Sequence, residues 1–176
     1  MTATLIVVTG PPGAGKSTVA RALSGRFARS SNIAGDDFFA FLDQGAIAPW
    51  TLEAHDQNGV VLAAAAAAAG RMAAGGLTVV YDGVVVPAQL DAFADATGLP
   101  SLHYVVLLPP EHTCIERVRT RLGHGFTDVE AARHMYAQFA DAELDSRHLL
   151  SSAAPPDVIA STLVDRVHDR SLERRA

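Results

Sequence analysis

The sequence predicts an α/β protein, with a parallel sheet covered by helices on both faces. Three observations predict it. Short apolar, β-branched runs alternate with helix-length segments along the 176 residues. A glycine-rich loop, Gly10-Pro11-Pro12-Gly13-Ala14-Gly15-Lys16-Ser17, joins the first such run to the first helix. That loop also holds the only lysine, Lys16, whereas thirteen arginines supply the remaining basic side chains. A position that keeps lysine against such a bias calls for a compact ammonium rather than a planar guanidinium.

The elements follow in order. Thr4 to Val8 reads as a buried strand. Ser17 to Arg29 reads as a helix with Val19, Ala20, Leu23 and Phe27 on one stripe. Ser31 to Ala34 is a short second strand ending at Gly35-Asp36-Asp37, and Phe38 to Leu42 continues as a helical turn. Gln44 to Trp50 contains Gly45 and Pro49 and reads as a loop. Thr51 caps a long helix from Leu52 to Ala74, closed by Gly75-Gly76; its alanine run offsets the local weakness of Gly59 and Gly70. Leu77 to Tyr81 is a strand stopped by Asp82-Gly83, and Pro87 to Ala96 a short helix. Leu102 to Leu108 is the next strand, ended by Pro109-Pro110. Glu111 to Leu122 is helical, Gly123-His124-Gly125 interrupts it, and Asp128 caps a helix to Leu144. His148 to Leu150 is a last short strand, and Pro156 to Arg170 the final amphipathic helix.

Composition narrows the function classes. The length fits one domain, residues 1–176, able to bury its own core. A net charge of −5, dispersed along the chain, argues against binding a nucleic-acid backbone. Cys114 is alone, so no internal disulfide forms and a reducing compartment is expected. The N-terminus has no basic segment before its apolar run, and Val60 to Ala69 is too short to span a bilayer. The expectation is a soluble cytoplasmic protein, monomer or homodimer. Seven scattered histidines without H-E-x-x-H or Cys/His spacing predict no structural metal site.

The loop pattern, G-x-x-x-x-G-K-S, is a phosphate cradle. Its glycines let successive N–H groups point inward at phosphate oxygens, and the following helix adds its positive end. Lys16 would reach the β- and γ-phosphates of a nucleoside triphosphate, and Ser17 would ligate Mg²⁺. In parallel sheets ligands collect at the carboxyl ends of the strands, so the residues after each strand are the candidates. Asp37 and Asp82 each follow a strand: one carboxylate can take a proton from an attacking hydroxyl while another holds Mg²⁺. Asp82 ends an apolar run, as a metal-organising aspartate does. Asp36-Asp37 fits a helix cap equally well. Arg117 and Arg121 share a helix face ahead of the glycine-flanked stretch, and residues 117–133 read as a lid that delivers cationic charge to a transferring phosphoryl group. Arg133 and Arg147 are weaker candidates. Asp36, Phe38 and Trp50 are candidates for an acceptor pocket.

The chain resembles the small P-loop phosphotransferases of the nucleoside-kinase-like class, nearest to the chloramphenicol phosphotransferase, gluconate kinase and zeta-toxin kinase patterns. The matching pieces are Gly10 to Thr18, then Ala34-Gly35-Asp36-Asp37-Phe38-Phe39, then Val79-Val80-Tyr81-Asp82-Gly83-Val84, then the arginine-bearing segment. The resemblance implies a three-layer P-loop NTPase fold of the nucleoside/nucleotide kinase-like type, with a sheet ordered 2-3-1-4-5. It implies ATP and Mg²⁺ as co-substrates, with residues Gly10, Pro11, Pro12, Gly13, Ala14, Gly15, Lys16, Ser17 and Thr18 around the nucleotide. It also implies an aspartate after the second strand as base, by position Asp37, and supports Asp82 near the metal. Gln44 to Asn58 departs from the chloramphenicol phosphotransferase pattern, and no gluconate-recognition pattern occurs, so the resemblance does not transfer a substrate.

The expected activity is phosphorylation of a hydroxyl on a small molecule. The alternatives are a nucleoside or nucleoside monophosphate kinase and, in a different class, a nucleotide-binding switch or accessory ATPase acting through a partner.

Overall fold

The computed structural model describes residues 4–120, 126–151 and 154–175. The sheet grows outward from β1 (Thr4–Thr9), whose side chains are buried from Leu5 onward because helices cover both faces. β3 (Thr78–Asp82) lies on one side of β1, and β4 (Ser101–Leu107) on the other, both parallel to it. β2 (Ser30–Ala34) pairs with the outer edge of β3, and β5 (Leu149–Leu150) with β4, giving the order β2-β3-β1-β4-β5. This is the order that the resemblance implies.

Register sets the functional edge. Asp82 lies level with Val8 on one neighbour and with Ala34 on the other. The chain therefore leaves β1, β2 and β3 at the same end of the sheet, and Gly35 N–H donates to the Asp82 carbonyl at 2.7 Å.

Two apolar layers sandwich the sheet. One packs α1 (Lys16–Ser24) and α7 (Pro156–His168) on Ile6, Val8 and Val105; the other packs α3 (His55–Ala74) and α4 (Leu90–Thr97) on Leu5, Val7 and Tyr104. α2 (Asp36–Phe39) follows β2, and α5 (Glu111–Thr120) with α6 (Val129–Ala140) forms a small satellite core around Val118 and Ala132.

Several boundaries differ from the sequence reading, each for a local reason. α1 stops at Ser24 rather than Arg29: Gly25 follows, and Arg26 N–H bonds back three residues to Leu23. Phe27 nonetheless packs on the core from outside the helix. Thr51 does not cap α3; its hydroxyl donates to the Ala48 carbonyl, and one 3₁₀ turn, Leu52–Ala54, intervenes. Asp128 caps α6 as expected, accepting from Ala131 N–H at 3.0 Å, but that helix ends at Ala140. The predicted Gly123-His124-Gly125 break lies outside the described residues.

Gly70 is a packing requirement rather than a weak point. A Cβ there would fall on the Thr97 carbonyl, so α4 crosses α3 at a place only glycine permits. Ala65, Ala66, Ala69 and Ala73 complete that shallow face, which is why an alanine run stands where larger apolar residues are commoner.

The sequence reading contained no sixth strand. β6 (Glu173–Arg175) pairs antiparallel with Ser101–His103, on the edge of β4 away from β1. Its three charged residues carry no strand propensity. Tertiary partners hold it: Ser101 donates to Glu173 at 2.9 Å, Arg174 pairs with Asp91, and Leu172 is fully buried just before it. Among the described residues no helix is long and apolar enough to cross a membrane.

Candidate functional site

The loop between β1 and α1 is held in shape by backbone. Gly10, Gly13 and Gly15 have φ of 146°, 80° and 93°, a region closed to most side chains. A Cβ on Gly10 would strike the Leu107 carbonyl, and one on Gly13 the Cys114 carbonyl. The end of β4 and the first turns of α5 thus wall the loop from outside. Ala14 N–H bonds to Pro11 O at 3.2 Å, and Lys16 Nζ donates to that same carbonyl at 3.1 Å. The ammonium therefore lies across the loop it belongs to. Arg117 on α5 reaches the loop's other side and donates to Gly13 O at 3.1 Å.

Cys114 lies under this loop. Burial pushes its thiol up to about 11, against the opposing pull of Arg117 and Lys16. It is a packing residue, inert as a nucleophile at neutral pH.

The loop opens onto one cavity of about 820 Å³. Its phosphate end is lined by Gly13, Gly15, Lys16, Ser17 and Thr18, together with Asp36, Asp82 and Arg117. Gly10, Pro11 and Ala14 shape the loop from beneath and are buried, whereas Pro12 faces the cavity. Asp82 is 7 % exposed at the end of β3. Gly35 N–H and the neighbouring strands fix the backbone there.

Asp36 and Asp37 open α2, and successive residues on a helix point about 100° apart. Both are exposed, but Asp36 lines the cavity and Asp37 does not. The expectation placed the base at Asp37; the member of the pair on the cavity side of α2 is Asp36. The same rotation separates the two phenylalanines. Phe38 packs on the core and edge-on against Phe41 at 5.6 Å, whereas Phe39 lines the cavity.

Tyr81 also lines the cavity. Burial first, then the negative charges of Asp36 and Asp82, hold its phenol far above the usual range. It stays protonated, a hydroxyl donor beside two carboxylates. Gly35 makes room for it, since a Cβ there would collide with the Tyr81 hydroxyl.

The loop after β3 is tied down by side chains. Thr9 Oγ1 accepts from Val85 N–H at 2.8 Å and donates to Val85 O at 3.2 Å, and Tyr104 donates to that same carbonyl at 3.0 Å. Val84 and Val86 consequently form a fixed apolar wall of the cavity.

The far end is assembled from the 44–51 loop, the start of α3, Phe126 and α6. Gln57 bonds both backbone groups of Ile47 at 2.8 Å, and Asn58 Nδ2 donates to Pro49 O at 2.7 Å. Among the described residues Asn58 Oδ1, which is buried, has no hydrogen-bond partner. These two amides pin the loop that carries Trp50. Trp50 meets Phe126 edge-on at 5.2 Å, closing an aromatic wall. From α6, His134, Met135 and Gln138 present one helix face to the cavity.

Of the predicted arginines, Arg117 lines the site and Arg121 lies outside the described residues. Arg133 pairs with Glu130 and Glu111, and Arg147 with Asp145; neither lines the cavity. Sequence reasoning missed Tyr81, Phe126 and the α6 face. The Phe126 position, just past the glycine break, was the one available signal.

The donor set fits a triphosphate and a divalent cation. The glycine loop leaves no room for a Cβ at Gly10 or Gly13, and Lys16, Ser17 and Asp82 all line the cavity beside it. Among the described residues no group of three His, Cys, Asp or Glu side chains could hold a metal alone.

Solved structures with this architecture include kinases and a resistance protein. The tunicamycin resistance protein of Deinococcus radiodurans is 16% identical, with 94% of this chain and 95% of that chain covered and a TM-score of 0.71. A sugar kinase from Janibacter sp. HTCC2649 is 22% identical, covering 96% of this chain and 95% of that one, with a TM-score of 0.70. A gluconokinase from Sinorhizobium meliloti 1021 is 20% identical over 96% and 98% of the two chains, with a TM-score of 0.60. At these identities the likeness establishes the P-loop kinase fold. No curated protein matches the chain. A family model described as an AAA domain matches residues 5–145, so the chain belongs to that family, AAA_33.

Proposed function

We propose that this protein is an ATP-dependent kinase that transfers the γ-phosphoryl group to a hydroxyl of a small molecule, working in the cytoplasm. One observation carries the reading: the phosphate loop and Asp36 face one cavity whose other half is walled by residues from outside the loop. That leaves room in the same cavity for a second substrate.

The chain's residues divide the work. The loop amides and Lys16 bind and orient the phosphates, neutralising charge that grows in the transition state. Ser17 and Asp82 would hold Mg²⁺, which would supply further charge neutralisation. Asp36 accepts the proton of the attacking hydroxyl. Arg117, anchored on Gly13 O, sets its guanidinium beside the loop, where it stabilises the transferring group. Trp50, Phe126 and Val86 keep water from competing with the acceptor.

The test is a pair of variants. Asp36→Asn is expected to lower the transfer rate by about 10²–10⁴-fold while leaving ATP affinity nearly intact. Asp37→Asn is expected to keep near wild-type turnover. The reading fails if labelled ATP with Mg²⁺ shows no saturable binding, and the base assignment fails if the two variants exchange behaviour.

A further inference from the structure

Tyr81 lines the cavity yet has no part in the division of work above, and the role inferred for it rests on that kinase reading. Two glycines keep the end of its side chain clear. Gly35 has φ −61° and ψ −33°, a conformation open to any residue, yet a Cβ there would collide with the Tyr81 hydroxyl. Gly83 likewise has no positive φ, and its Cβ would come within 2.9 Å of the same oxygen and 2.8 Å of ring carbon Cε1. Backbone conformation demands glycine at neither place; the phenol does. Phe93 holds the ring itself, with centroids 4.9 Å apart. The hydroxyl is thus fixed against Gly35, one residue before Asp36.

The face of the sheet decides what that hydroxyl can meet. Val79 and Tyr81 stand in the core under α3 and α4, whereas Val80 stands in the core under α1 and α7. Tyr81 therefore points to the side on which Val61, Leu62, Val84 and Val86 wall the cavity, away from the helix that carries the phosphate loop. Asp36 and Asp82 act on it by charge without a hydrogen bond, and among the described residues nothing else takes its hydrogen. A protonated phenol is a donor, and it is set here beside the carboxylate that receives the attacking hydroxyl's proton.

A donor on the attacking oxygen would draw off the electron density that a general base is there to raise. On a neighbouring oxygen it leaves the nucleophile alone and fixes the molecule's orientation. We propose that Tyr81 is a specificity-determining residue whose hydroxyl donates to a second oxygen of the acceptor, next to the hydroxyl that Asp36 deprotonates. The transfer itself balances without it: the acceptor oxygen bonds to the γ-phosphorus, the bond to the β–γ bridging oxygen breaks, ADP leaves, and the hydroxyl proton passes to Asp36. Tyr81 keeps its hydrogen throughout. The residue is 2 % exposed, so a molecule lacking the second oxygen would leave a buried donor unpaired, a stronger ground for rejection than a poor fit to an apolar wall.

The experiment measures ADP release by the full chain and by Tyr81→Phe, which keeps the ring against Phe93. ATP and Mg²⁺ are supplied with glycerol, D-glucose, myo-inositol, D-gluconate or shikimate, and the phosphorylated position of each product is located by NMR. Each accepted probe is then compared with its analogue lacking the oxygen next to that position. The native chain is expected to lose about 100-fold or more in kcat/KM on the deoxy analogue. Tyr81→Phe is expected to treat probe and analogue within about 10-fold of each other, with the KM for ATP unaltered. A merely structural role would move both substrates and leave that ratio in place. Undiminished discrimination in Tyr81→Phe overturns the proposal. So does equal native turnover of probe and deoxy analogue, or acceptance of none of the probes by a chain that binds ATP. Failure to bind ATP instead sinks the kinase reading, so the two failures are distinguishable.

Discussion

The two ends of the cavity are built by opposite means. At the phosphate end, backbone does the shaping: glycines in left-handed conformations, carbonyls of Leu107 and Cys114 pressed against them, and strand ends in fixed register. At the acceptor end, side chains do it: two amides clamp a loop, two aromatic rings meet edge-on, and a helix face contributes polar groups. A backbone-shaped site tolerates little substitution and binds one kind of group. A site shaped by side chains can be re-specified without disturbing the fold, which suits an acceptor that differs among proteins sharing this architecture.

Glycine substitutions break the comparison most sharply. Gly13→Ala is expected to lower ATP affinity by about 100-fold or more, because φ is positive and the Cys114 carbonyl occupies the space for Cβ. Gly45→Ala also has a positive φ, 76°, but its Cβ would meet nothing within 4 Å. It is expected to cost only about 1 kcal/mol, read by urea denaturation, with ATP affinity unchanged. Equal effects would show that conformation rather than crowding governs the phosphate loop.

A smaller effect sharpens the acceptor side. Gln57→Ala is expected to raise the acceptor KM several-fold, by about 1 kcal/mol per lost loop contact, and to leave the KM for ATP unaltered. A parallel rise for both substrates would mean that the loop supports the whole site.

The smallest expected effect lies behind the site and depends on pH. His148 is buried and hydrogen-bonded through Nδ1 to the Tyr104 carbonyl; burial, against the pull of that bond, holds its pKa below the usual imidazole range. His103 is held low by burial as well. A histidine with a depressed folded-state pKa binds its proton more readily when unfolded. Its stabilisation is complete above the unfolded imidazole's range, about 6.5, and is lost as pH falls below it. The urea midpoint is expected to drop between about pH 7.5 and about pH 5.5. In His148→Asn, which keeps a donor for Tyr104, that drop is expected to be shallower.

The same division explains what the sequence disclosed. The phosphate loop is local: spacing, glycines and one lysine specify it within eight residues. The sheet order followed from the resemblance, and the strand–helix alternation from period and punctuation. Asp36 and Asp37 were not separable, because one helical step of rotation decides which faces the cavity and the start of α2 is set by Gly35 and Tyr81. Tyr81 reads as an ordinary strand residue; only folding brings it beside two carboxylates. His134, Met135 and Gln138 share a helix face, but the periodicity of α6 does not say what that face meets. β6 was invisible because its ion pairs and Leu172, not its own propensities, place it.

β6 also bears on how the molecule is made. Ser101 finds its partner Glu173 72 positions later, across a strand edge that β1 does not cover. As the chain leaves the ribosome, the first half of β4 has an open flank until the β6 segment emerges. Through that interval its unpaired amides and carbonyls are available to any neighbouring polypeptide. Yield in a host should therefore respond to translation speed and chaperone supply more than to anything at the phosphate loop.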